Sequence, residues 1–135
     1  MALIQWNNAM SVGVTEIDTQ HKRLITMINE LSDAMRDHKA KDVIGNIVDS
    51  MLSYTASHFT LEEKYFDQFR YPDTVIHKKE HADFVKKVTA FREDYVKGRL
   101  GLSVEILYFL SDWLKNHIQG SDRKYAPFFQ EKGLK

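Results

Sequence analysis

Seven residues with metal-binding side chains constrain this chain more than any other feature. Five are histidines and two are acidic: His21, His58, Glu62, His77, His81, His117 and Asp122. Imidazole and carboxylate groups together are ligands of first-row transition metals. Five imidazoles and two carboxylates are too many for one ion but suit two. The sequence therefore predicts a two-metal site, provided that one fold can bring all seven together.

Apolar residues recur every three to four positions along four long stretches, which is the period of an amphipathic helix. The predicted helices cover about 19–38, 41–69, 74–97 and 103–117, and a short last helix follows from Asp122 or Arg123. Glycine and proline are scarce, six and two, which favours long helices over strands and turns. Short links between the helices predict an all-α, antiparallel up-down-up-down four-helix bundle.

The chain is predicted to be a single domain over residues 1–135. An N-terminal arm covers 1–18, the bundle covers 19–120 and a C-terminal segment covers 121–135. Trp6 and Val14 are expected to anchor the arm, and Asp18 or Thr15 to cap the first helix. We expect Ser103 to cap the fourth helix, glycines 98 and 101 to bracket the turn before it, and His38 to be an ordinary surface histidine.

Helical spacing indicates that the candidate ligands share one layer of the bundle. Residues four apart lie about 400° apart around a helix, so His58 lies over Glu62 and His77 over His81. His21 begins its helix, whereas His58 lies late in the next one. Those positions lie at the same height in an antiparallel pair. His77 and His81 begin the third helix and His117 ends the fourth, so they also lie at one height.

Asp122 does not fit this simple geometry. Five residues turn through about 500°, which would place Asp122 about 140° away from His117 on a straight helix. Gly120 lies between them and has low helix propensity. We therefore predict a bulge or a helix break there that turns Asp122 back toward the core.

Composition excludes several classes of partner and site. Lys plus Arg equals Asp plus Glu, 19 each, so no excess charge favours nucleic acid or anionic lipid. The absence of cysteine rules out disulfides and thiolate-ligated metal clusters. No segment has the pattern of a signal peptide or approaches the roughly 20 apolar residues of a membrane span. We expect a soluble, cytoplasmic protein with neither nucleic-acid binding nor membrane insertion.

The motifs around the candidate ligands resemble those of the hemerythrin family, specifically the small single-domain bacteriohemerythrins. The resemblance covers nearly the whole chain and all seven positions. It is carried by Trp6 to Gly13, Val14-x2-Ile17-Asp18-x-Gln20-His21, His58-Phe59-x2-Glu62-Glu63, His77-x3-His81 and Trp113-Leu114-x2-His117-Ile118-x3-Asp122.

The resemblance implies a non-haem di-iron centre that binds O2 reversibly. It assigns His77, His81 and His117 to one iron, His21 and His58 to the other, and Glu62, Asp122 and an oxo or hydroxo group to the bridge. On this count one iron has six ligands and the other five, so O2 is expected at the second. The resemblance also implies an apolar oxygen pocket made of Leu24, Phe59, Trp113 and Leu114. Tyr54, Tyr65 and Tyr108 are candidate hydrogen-bond partners of the ligands.

The leading functional hypothesis is therefore reversible O2 binding by a carrier, store or supplier that is not an enzyme. An oxygen-consuming enzyme is a candidate partner, and a monomer is the default state. One alternative is an oxygen or redox sensor, which a bare domain disfavours. Another is a di-iron peroxidase, oxidase or nitric-oxide-handling enzyme, which a histidine-rich site disfavours. Iron storage would need a carboxylate-lined route for many ions, and we expect none.

Overall fold

The computed structural model describes residues 4–37, 41–98 and 102–135, and at 41, 42, 102 and 103 it describes the backbone only. Five α-helices carry the chain: α1 Thr15–Arg36, α2 Lys41–Phe69, α3 Thr74–Val96, α4 Leu102–Asn116 and α5 Arg123–Glu131. A short 3-10 helix at Asn8–Met10 precedes them, and a π-helical turn at His117–Asp122 joins α4 to α5. The expectations for His38, Gly101 and the Ser103 side chain lie outside the described residues.

The first four helices form the predicted four-helix bundle. α1 packs against α2 and α4, and α3 packs against α2 and α4, so each helix contacts its neighbours in the chain and the ring closes. This confirms the all-α architecture. None of the helices in the described ranges is long and apolar enough to cross a membrane.

The prediction was wrong about the start of α1, which begins at Thr15 rather than Thr19. Neither Thr15 nor Asp18 caps it, because the N-cap position is Val14. The Asp18 carboxylate instead lies in the first turn and accepts hydrogen bonds from the Val12 amide at 2.9 Å and the Ser11 hydroxyl at 2.5 Å. Asp18 therefore holds the arm against the helix, and the arm ends at Val14.

The arm lies along the bundle and is fixed at several points. Val14 is buried, and Trp6 is half-buried against the bundle core, as predicted. The backbone N–H of Ile4 donates to Asn29, whose side-chain amide donates back to the Ile4 carbonyl. Arg123 donates to the carbonyl of Ala9. The arm is thereby tied to both α1 and α5.

Two apolar clusters divide the interior, and the candidate ligands lie between them. The larger fills the bundle, and the smaller closes one end with residues from the arm, α2 and α5. Along α1, Ile17 belongs to the end cluster and Leu24 to the bundle core, with His21 between them. Along α2, Glu62 lies in the same way between Phe59 and Phe66. The polar layer is thus sealed on both sides by apolar side chains.

The π-helical turn resolves the spacing problem at Asp122, as the predicted bulge required. A π turn is closed by hydrogen bonds between residues five apart, and the N–H of Arg123 bonds to the carbonyl of Ile118. Residues five apart therefore come onto one face. His117 and Asp122 both become buried, and Nε2 of His117 lies 3.1 Å from Oδ1 of Asp122. The helix is widened at this point and not broken.

We predict that Gly120 is not needed for this turn. A Cβ at Gly120 would have no atom within 4 Å, so Gly120→Ala should keep the metal content and leave stability unchanged or raise it by up to about 1 kcal/mol. Gly13→Ala is the matched control, because Gly13 has φ +76° and an added Cβ would collide with the amide nitrogen of Gln130. That variant should lose about 1–2 kcal/mol. Urea unfolding and metal analysis measure both, and loss of metal from Gly120→Ala would contradict the prediction.

Candidate metal centre

The seven predicted ligands meet in one buried layer. None is more than 5% exposed, and Glu62 and Asp122 are fully buried. Their facing atoms form two overlapping groups in which the donor atoms lie within 4.8 Å of one another. One group contains His77, His81, His117, Glu62 and Asp122, and the other contains His21, His58, Glu62 and Asp122. The two carboxylates belong to both groups.

Each carboxylate turns its two oxygens toward different groups. In Asp122, Oδ1 lies 2.9 Å from Nε2 of His77, whereas Oδ2 lies 3.0 Å from Nε2 of His21. In Glu62, Oε1 lies 2.8 Å from Nε2 of His58, whereas Oε2 lies 3.6 Å from Nε2 of His77. Neighbouring donors on one ion with bonds of about 2.1 Å lie about 3 Å apart, so these separations suit shared coordination.

These close atoms are not hydrogen-bonded to one another. Both oxygens of Glu62 and of Asp122 are buried with no hydrogen-bond partner in the described part of the chain. The same holds for Nε2 of His21, His77, His81 and His117. A buried carboxylate without compensation costs several kcal/mol. Donor atoms that converge without bonding one another therefore fit cations, and two carboxylates shared by two groups fit two of them.

Polar groups outside the layer hydrogen-bond the outer nitrogens of two histidines and face that of a third. Oε1 of Gln20 lies 2.6 Å from Nδ1 of His58, and Oε2 of Glu63 lies 3.0 Å from Nδ1 of His81. Oε2 of Glu80 faces Nδ1 of His117 at 3.9 Å. Such partners fix the orientation of a ligating imidazole and raise its basicity. In each pair the partner comes from the preceding helix: α1 for His58, α2 for His81, and α3 for His117 at the end of α4.

The four predicted pocket residues line one small apolar cavity beside the layer. Leu24, Phe59, Trp113 and Leu114 surround it together with five other residues. Its volume is about 10 Å³, counted as the space open to the centre of a water molecule, which is near the minimum for one small molecule. Phe59 stacks on His81 with ring centroids 3.7 Å apart, and Trp113 stacks on His117 at 4.2 Å. Phe59 also lies beside His58, with ring centroids 6.0 Å apart, so the cavity borders both histidine groups of the layer.

Comparison with known proteins settles which family these features belong to. The model of the hemerythrin HHE cation-binding domain matches residues 12–129. The chain belongs to the hemerythrin family. Membership implies binding or sensing of O2 at non-haem iron, and the histidine and carboxylate layer is suited to metal.

Bacteriohemerythrins are similar to this chain over nearly its whole length. That of Stenotrophomonas maltophilia is 37% identical over 126 residues, which cover 93% of this chain and 81% of the relative. That of Methylococcus capsulatus is 31% identical, covering 94% of this chain and 97% of the relative. A crystal structure of wild-type hemerythrin aligns with a TM-score of 0.86 and 31% identity, covering 93% of this chain and 97% of that one.

Sequence reasoning missed the outer partners of this hemerythrin site and nominated three tyrosines instead. Tyr65 donates to Glu16 at the surface, Tyr108 is 59% exposed, and Tyr54 lines a surface cleft. The actual partners are Gln20, Glu63 and Glu80. A signal was present, because each is the neighbour in sequence of a predicted ligand. The sequence did not reveal that each would serve a histidine on the following helix.

Tyr125 is a further residue that the sequence did not single out. It is fully buried in the end cluster, and its hydroxyl has no hydrogen-bond partner among the described residues. Burial raises the pKa of Tyr125 well above its ordinary value, and the charges of Asp122 and Glu62 add to this. The hydroxyl therefore stays protonated as a donor beside the two carboxylates.

Without metal, protons compensate the carboxylates. Burial opposes charge on His21 and His77, but Asp122 and Glu62 outweigh it and raise the pKa of each to about 9. Burial also opposes ionisation of Glu62, yet His58 and the other imidazoles hold its pKa well below the ordinary value. Burial lowers the pKa of His81 to about 3, so that imidazole is neutral. Metal ions therefore compete with protons for this layer.

We predict that the metal-free protein loses stability between pH 6.5 and 9. A histidine with a raised pKa contributes stability fully below its unfolded value of 6.5, and the contribution disappears as the pH rises through about 9. The free energy of unfolding in urea should fall by about 1 kcal/mol or more across this window. The metal-loaded protein is the control and should change much less, because its histidines are already neutral. Equal slopes for the two forms would contradict the prediction.

Proposed function

We propose that the chain binds O2 reversibly at a di-iron centre and serves as an oxygen carrier, store or supplier. His77, His81 and His117 hold one iron, His21 and His58 hold the other, and Glu62 and Asp122 bridge them with an oxo or hydroxo group. The observation that carries the proposal is the unequal division of imidazoles around two shared carboxylates. The iron pair supplies the electrons and the coordination position for O2.

The unequal division favours one binding position over two. With two carboxylate oxygens and a solvent bridge, the three imidazoles on one side of the layer would give an ion six ligands, whereas the two imidazoles on the other side would give five. The fully buried His21 and the nearly buried His58 hold the side with five. O2 would therefore have one place to bind, beside His21 of α1 and His58 of α2.

The surrounding residues support binding and release rather than oxygen activation. Leu24, Phe59, Trp113 and Leu114 exclude water and protons from the space beside the layer, which protects a reversibly oxidised site. Gln20 and Glu63 hold imidazoles in fixed orientations. The site has only two carboxylates for five imidazoles, and fewer anionic ligands stabilise high-valent iron less well. These features favour a carrier over a peroxidase or oxidase.

Repeated oxygenation of the purified protein tests the proposal. The protein is reduced without air, exposed to O2 and then flushed with inert gas, while the visible spectrum is recorded. A charge-transfer band should appear and vanish over several cycles, with two irons per chain by metal analysis. Irreversible conversion at the first exposure, with turnover of added peroxide, would instead support the enzymatic alternative.

A cavity variant tests the oxygen pocket separately. Leu114→Ala should speed spontaneous oxidation of the O2-bound protein several-fold, because the enlarged space admits water. Leu31→Ala is the matched control, since Leu31 is a buried core leucine that lines a different cavity. Both substitutions should cost about 2–5 kcal/mol of stability. Equal oxidation rates in the two variants, followed by the decay of the visible band, would argue against the pocket assignment.

A further inference from the structure

A second, polar cavity opens on the opposite side of the metal layer. It has a volume of about 80 Å³ and lies between the start of α3 and the π-helical turn. It is lined by one aliphatic residue, Ile76, and by Tyr71, Asp73, His77, Glu80, Ser121 and Lys124. It differs from the apolar cavity in having a predicted iron ligand, His77, in its wall.

Two polar side chains with little exposed surface line this cavity. His77 is 2% exposed and Tyr71 is 7% exposed. Neither the outer nitrogen of His77 nor the hydroxyl of Tyr71 has a hydrogen-bond partner among the residues that the structure describes. Nδ1 of His58 and of His81, in contrast, are each held by an oxygen within 3.0 Å. Nδ1 of His77 and the hydroxyl of Tyr71 are therefore available to interact with a polar ligand in the cavity.

Without an outer partner, the orientation of the His77 ring is set by packing against Phe66 and against the rings of two other candidate ligands, His81 and His117. An outer hydrogen bond fixes the orientation of a ligating imidazole. The inner nitrogen of His77 faces Asp122 at 2.9 Å, while the ring forms part of the cavity wall. His77 thus stands between the cavity and the metal layer, and a turn of its ring connects the two.

The charges around the cavity favour a cation. Asp73 and Glu80 carry carboxylates, against the single ammonium of Lys124. The hydroxyl of Ser121 donates to Oε1 of Glu80 at 2.7 Å and holds that carboxylate at the wall. Clefts lined by one sign of charge concentrate ions of the opposite sign.

The apolar cavity on the other side is closed to such an ion. Apart from the hydroxyl of Thr55, its wall consists of apolar side chains, so a hydrated cation would find almost no replacement for its water ligands. Taking a charge into such surroundings without replacement ligands is strongly unfavourable. A divalent cation therefore needs a route lined by oxygen and nitrogen atoms.

We infer that the polar cavity is the route by which ferrous iron enters and leaves the metal layer. Asp73 and Glu80 replace part of the hydration shell, and the turning of His77 admits the ion to the shared carboxylates. The inference rests on the proposed di-iron function. On this inference, iron enters through the polar cavity on one side of the metal layer, and O2 enters from the apolar cavity on the other side.

Exchange of iron in the intact holoprotein tests the route. Diferrous protein is mixed without air with an excess of isotopically labelled ferrous iron, and replacement is followed by native mass spectrometry. Asp73→Asn should slow exchange several-fold, and it removes no helix cap because Asp73 makes no capping hydrogen bond. Lys124→Gln should speed exchange several-fold. Glu105→Gln and Lys86→Gln make the same charge changes at exposed positions outside the cavity and should leave the rate unchanged.

The opposite signs separate this route from a general opening of the bundle. Equal rates in wild type, Asp73→Asn and Lys124→Gln would overturn the inference, and so would faster exchange in both variants. Iron content measured before mixing tests the proposed function independently. A wild-type protein with two irons and a charge-independent exchange rate would remove the route alone, whereas a protein without iron would contradict the di-iron centre itself.

Discussion

Two buried carboxylates facing five imidazoles are the interaction on which the rest of this structure depends. Glu62 and Asp122 are fully buried, and their oxygens have no hydrogen-bond donors in the described ranges. Such groups are tolerable only if positive charge lies between them and the imidazoles. In the metal-loaded protein the metal ions provide this positive charge. In the metal-free protein, protons on His21 and His77 provide it. The stability of this fold and its chemistry are therefore linked.

The bundle is arranged to hold this polar layer in an apolar interior. The main core lies on one side, and the arm, the end of α2 and α5 close the other side with aromatic residues such as Phe66 and Tyr125. Each carboxylate divides its oxygens between two groups of histidines. Three imidazoles lie on one side of the shared carboxylates and two on the other, and this asymmetry is the basis of the proposed single position for O2.

The sequence predicted the layer well because helical spacing determines which residues share a face. His77 and His81 follow from that rule, and the five-residue gap before Asp122 correctly required a bulge. The outer partners did not follow, because the contact of Gln20 with His58 depends on how two helices are rotated against each other. Asp18 was misjudged as a helix cap because capping preference is local, whereas its carboxylate binds the arm. The burial of Tyr125 and the position of Lys124 in the polar cavity were not predicted, because both depend on how α5 packs against the bundle.

Iron-edge anomalous diffraction from crystals of the metal-loaded protein tests the central claim most directly. We predict two iron peaks per chain, one bonded to His77, His81 and His117 and the other to His21 and His58. Glu62 and Asp122 should each bond one oxygen to the first iron and the other oxygen to the second. A single peak, or a carboxylate bonded to only one iron, would contradict the account.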